Sequence, residues 1–144
     1  MNEQNVPKPP PPPGQRPPAA SQSSTGLDPK LAGLLCYILG IITGLIFFLI
    51  EKSNDVVRFH AAQSILFSGS MIVLWIVLTI VQFVLLSISM SLASIFSLLT
   101  MLLGLGVFVL WVVLLIKGYS GQKWKLPVIG DMAERMASGG QRTA

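Results

Sequence analysis

Between Arg58 and Lys117 the chain carries no Asp, Glu, Lys or Arg. A run of that length far exceeds the roughly 20 residues one helix needs to cross a bilayer, so it must fold back on itself in lipid. A buried soluble core would need polar amphipathic helices around it. With 52% hydrophobic and 11% charged residues, against the usual quarter charged, the chain has none to spare. The fold class that follows is an all-α, polytopic helical membrane protein.

Three spans are expected, over about 31–50, 64–86 and 95–116, with a short interfacial amphipathic helix over about 127–136. Asp28 suits the N-cap of the first span and Pro29 its first turn. Glu51, Lys52, Ser53 and Asn54 form the next turn. Asn54 is an N-cap candidate and Asp55 suits a helix N-terminus. A helix from about 55 to 86 is longer than the hydrocarbon core, so its first turns belong at headgroup level. The Ser-rich segment 87–94 is the expected reversal, and Lys117 with Gly118 the end of the third span. Residues 1–30 hold nine of the ten prolines and read as a disordered extended tail, as do 137–144. No signal peptide is expected, because the first apolar run starts some 30 residues in and is longer than a signal's apolar region.

Three residue groups stand out. Gly33, Cys36, Gly40 and Gly44 recur at steps of three and four, a small-residue stripe for close helix packing. Its partner is either Gly69 or Gly104 of the same chain, or a second copy. Glu51, Asp55, Arg58, His60, Gln63 and Ser64 form a polar motif at the membrane interface. On a helical wheel His60, Gln63 and Ser64 share a face with Phe67 and Met71, while Arg58 lies nearly opposite, with Glu51 its nearest candidate partner. Either this face merely sits at the wet interface while Arg58 reaches lipid phosphates, or it packs inward and bonds a partner helix or subunit. Lys117, Tyr119, Lys123, Trp124 and Lys125 read as a basic and aromatic interface belt. In the last helix Ile129, Met132, Ala133 and Met136 line one side, and Asp131, Glu134 and Arg135 another.

The segments LLCYILG, LIEKSNDVVRFHAAQS and KGYSGQKWKLPVIGDMAER resemble a widespread family of small bacterial and archaeal membrane proteins without assigned function. That family is distantly similar to the twenty-kilodalton membrane subunit of the chloroplast inner-envelope translocon. The resemblance covers roughly 31–135 and implies membrane residence. The chloroplast relative has four membrane helices, one more than the three counted here, and serves protein import. No catalytic residues come with the resemblance.

Enzyme chemistry is not expected. The chain has no GxSxG, no HExxH, no pair of intramembrane aspartates and no Gly-rich phosphate loop. Glu51 with Asp55, and Asp131 with Glu134, read as solvated helix-end charges. One Cys and one His exclude an internal disulfide and a His/Cys zinc set, so neither metal nor cofactor is expected. Nucleic acid is not an expected partner either, for want of a basic face or a stacking platform. Membrane lipids are, together with a membrane-protein partner or a second copy. The expectation is a non-enzymatic accessory or assembly subunit, with an oligomeric channel or translocation component as the alternative. With three spans, Lys/Arg counts place the C-terminus of this multi-pass cell-membrane protein in the cytoplasm and the proline-rich tail outside.

Overall fold

The computed structural model describes residues 23–139, so the expectations for 1–22 and 140–144 fall outside them. Five helices are described: α1 (Pro29–Ile38), α2 (Ile41–Ile50), α3 (Asp55–Ile88), α4 (Met90–Tyr119) and α5 (Ile129–Ser138). The Asp28 carboxylate accepts from Lys30 N at 2.8 Å and Pro29 occupies the first turn of α1. Asn54 caps α3 by accepting from Val56 N and Val57 N.

The expected first span is not one helix. The run 31–50 breaks at Gly40, whose φ of +59° suits glycine and few other residues. A Cβ there would lie 2.6 Å from the Ser68 hydroxyl. Two ten-residue helices result, each about 15 Å long and half the thickness of a hydrocarbon core. Their directions follow from their neighbours. At Gly33, α1 meets Gly118 near the end of α4, and Gly40 meets Ser68 deeper along α3. In α2, Gly44 then lies against Ala61 and Ile65, and beyond it Glu51 bonds Asn54 at the start of α3. So α1 descends beside α3 and α2 climbs back, a helical hairpin that enters and leaves at the same end.

Helices α3 and α4 have 34 and 30 residues and are apolar enough to cross a membrane. Ser89 alone separates them, so the reversal is tighter than the 87–94 segment. Gln82 bonding Ala93 O, and Trp75 beside Gly104, show the two running antiparallel. Gly118 does not end α4 but lies inside it. The left-handed glycine just beyond the helix is Gly121, φ +71°, where a helix C-terminus favours it.

Backbone carbonyls freed by the break at Gly40 would be costly in an apolar surrounding. Ser64 donates to Cys36 O at 2.6 Å and lies 3.0 Å from Gly40 O. Thr43 also donates to Cys36 O, and the Trp111 indole donates to Tyr37 O at 2.9 Å. The hairpin is thus tied to both long helices by polar contacts.

Helix α5 closes the same end, launched by a tight turn at Val128 (φ +68°) in which Ile129 N donates to Pro127 O. Its buried side is Gly130, Ala133 and Ala137, with Ala133 and Ala137 packed on Phe59 and Ala62 of α3. Met132 and Met136, expected beside Ile129 and Ala133 on one apolar face, are exposed. Glycine at 130 serves the turn into α5, since a Cβ there would meet that of Lys125 in the preceding segment at 2.6 Å.

Candidate functional site

The polar motif and the C-terminal segment meet in one buried junction at the hairpin end. The first turns of α3 are buried nearly all round, from Val57 through Ser64, apart from half-buried Arg58. His60, Gln63 and Ser64 therefore face inward, and their partners lie in this same chain. The Tyr37 hydroxyl is 3.2 Å from His60 Nδ1, and His60 Nε2 is 3.0 Å from Gln122 O. Gln63 Nε2 donates to the Tyr37 hydroxyl and to Trp124 O, both at 3.2 Å, while its Oε1 accepts from Leu126 N. A consistent proton arrangement has Gln63 donating to Tyr37, Tyr37 to His60 Nδ1, and His60 Nε2–H to Gln122 O. The network spends its capacity on holding residues 122–126 against α1 and α3. It positions backbone.

Glu51 departs from its reading as a solvated charge and as the partner of Arg58. It is fully buried and ringed by donors: the Ser23 hydroxyl, Ser24 N and Oγ, Ser53 N and Oγ, and Asn54 N. Burial alone would raise its pKa, but hydrogen bonds led by those of Ser23 and Ser24 pull it down to about 2. Ser23 and Ser24, assigned by composition to the tail, are thereby fixed to the loop before α3. A carboxyl depressed in the folded state gives stability that is full above its ordinary value near 4.5 and is lost as pH falls towards 2. Wild-type protein should melt progressively lower across that window, and Glu51→Gln should flatten the dependence in detergent thermal scans.

Arg58 stands apart, its guanidinium 5.4 Å from the Phe48 ring centre. Asp55 is exposed one turn earlier. Asp131 and Glu134, also read as solvated, both reach Lys125, at 3.4 and 2.5 Å. Of the expected belt, Tyr119 and Lys123 are exposed, but Trp124 packs against the core with Lys117 6.0 Å from its ring centre. The glycine stripe divides: Gly33 serves the α1–α4 crossing, Gly40 the break and Gly44 the α2–α3 contact, while Cys36 is buried beside Val57 O. The partner of Gly33 is Gly118, not Gly69 or Gly104. Sequence reading missed Tyr37, Trp111, Ser23 and Ser24, and took Gly118 for a helix end where it is the packing partner of Gly33. Tyr37 alone carried a signal, as a phenol inside an apolar run that would need a hydrogen-bond partner.

Residues 25–133 match the family described as the magnetosome magnetite crystal formation protein family. A UPF0132 membrane protein of Methanocaldococcus jannaschii is 41% identical over 114 residues, which cover 79% of this chain and 93% of the relative. A second from that organism is 39% identical over 111 residues, 76% of this chain and 71% of the relative. One from Archaeoglobus fulgidus is 38% identical over 113 residues, 78% of this chain and 99% of the relative. No solved structure matches the chain. The matched region takes in all of α1 to α4, the Glu51 loop and the junction, and on that extent the chain belongs to this family of membrane proteins, the magnetosome magnetite crystal formation protein family.

Proposed function

We propose that this is a non-enzymatic, multi-pass membrane protein that works through contacts with other membrane proteins, as an accessory or assembly subunit. The proximal end, with the hairpin, junction and α5, is a self-contained packed unit. The distal halves of α3 and α4 form a bare apolar hairpin, with Ile72, Val73, Ile80, Leu98 and Leu102 among its exposed residues. Gly69 and Gly106 on these helices carry the reading: a Cβ at either would meet nothing within 4 Å. Small residues with open space above them let another helix approach closely, whereas Gly33, Gly44 and Gly118 are already used within the chain.

In this reading α3 and α4 cross the membrane and the α1–α2 hairpin re-enters without crossing. Every charged side chain among the described residues then lies at one end, and the positive-inside tendency puts that end, with Leu27 and Ser138, in the cytoplasm. The alternative is an oligomeric channel or translocation component. Photo-crosslinkers at Val73 and Leu102 in native membranes test the first reading, with discrete protein adducts expected and lipid adducts alone contradicting it. Gly69→Leu and Gly106→Leu should remove those adducts while shifting the melting temperature by no more than a degree or two, equivalent to about 0.5 kcal/mol. Solute flux in proteoliposomes would favour the channel.

A further inference from the structure

Arg58 is the last charged residue before the long apolar run, and no carboxylate among the described residues pairs with it. Its Nε is buried without a hydrogen-bond partner, and its guanidinium lies over Phe48. Among the described residues the only ion pairs are those of Lys125 with Asp131 and Glu134. Glu51, in the loop between α2 and α3, is occupied by serine and backbone donors, and Asp28 caps Lys30 N. A half-buried cation without an acceptor is costly, and a ring beneath it fixes the plane of its N–H fork. Because α3 is longer than the hydrocarbon core, its first turns lie where phospholipid phosphates are.

We propose that Arg58, held over Phe48 at the junction of α2 and α3, binds the phosphate of an anionic phospholipid headgroup. The planar fork matches two phosphate oxygens, and charge-assisted bonds of that kind are the strong ones. The site rests on reading α3 as a membrane helix, but topology labelling would detect failure of that reading independently.

The intact protein in neutral detergent, titrated with phosphatidylglycerol or phosphatidylcholine and read by native mass spectrometry, provides the test. One phosphatidylglycerol should be retained with a preference of about tenfold over phosphatidylcholine. Arg58→Gln should abolish that preference without lowering the melting temperature in phosphatidylcholine micelles, and Arg58→Lys should keep part of it. Should Arg58→Gln not fold, Phe48→Leu removes only the ring and should still weaken the preference severalfold. The proposal is overturned if Arg58→Gln keeps the preference, if Phe48→Leu leaves it unchanged, or if Lys52→Gln with Lys123→Gln removes it as completely, since the attraction would then be diffuse. Inorganic phosphate that displaces the lipid at equal concentration would point to a soluble-anion site and overturn the lipid assignment.

Discussion

Gly118→Leu is expected to collapse the proximal end of the protein, with a loss above about 3 kcal/mol and a correspondingly large drop in melting temperature in detergent. Even a Cβ at Gly118 would sit 2.6 Å from Gly33 O and 2.9 Å from Gly33 C. Those are backbone atoms and cannot swing aside as a side chain could. Parting α1 from α4 would also strain the Trp111 bond to Tyr37 O and the placement of Tyr37 against His60. The matched control is Gly69→Ala, where a Cβ meets nothing within 4 Å. It should melt within a degree or two of wild type, and an equal loss in both variants would refute the crossing.

The second large effect is expected at Gln63. Its amide holds the Tyr37 hydroxyl, Trp124 O and Leu126 N together, and the residue is fully buried. Gln63→Leu keeps the bulk but takes the Gln63 bond from Trp124 O and Leu126 N and leaves the Tyr37 hydroxyl to His60 alone, at about 1–3 kcal/mol for each group left buried and unpaired. The cheapest relief is for residues 122–126 to leave α3 and take α5 with them. Trypsin should then cut at Lys123 and Lys125 much faster in Gln63→Leu than in wild type, while the α3–α4 portion stays in the membrane. Tyr37→Phe should show the same change more weakly, because Gln63 still holds Trp124 O and Leu126 N. Unchanged proteolysis of Gln63→Leu would mean that α5 is held by Ala133 and Ala137 alone.

What could be read from sequence was what local pattern encodes. The absence of charge after Arg58 gave the apolar hairpin of α3 and α4, Asn54 the start of α3, and helical spacing the shared face of His60, Gln63 and Ser64. The break at Gly40 was not legible, because a glycine in a uniformly apolar run reads equally well as a packing residue. What turns it into a hinge is Ser64, 28 residues from the Cys36 carbonyl it satisfies, and no local window spans that distance. Glu51 misled for a related reason. A carboxylate between polar neighbours looks solvated, and the serines that bury it come from a segment whose composition reads as tail. In α5 the apolar stripe pointed to Ile129, Met132, Ala133 and Met136, but packing on α3 keeps Ala133, adds Ala137 and leaves Met132 and Met136 exposed.

If the α1–α2 hairpin re-enters the membrane without crossing, as proposed, Leu27 and Ser138 lie on the same side of it. Single cysteines at Leu27, Ser91 and Ser138, introduced in a Cys36→Ala background, can be probed with a membrane-impermeant thiol reagent on sealed vesicles of each orientation. Leu27→Cys and Ser138→Cys are expected to label together from the cytoplasmic face and Ser91→Cys only from the opposite one. Labelling of Leu27→Cys and Ser138→Cys from opposite faces would mean that residues 31–50 cross the membrane, and would contradict the re-entrant hairpin.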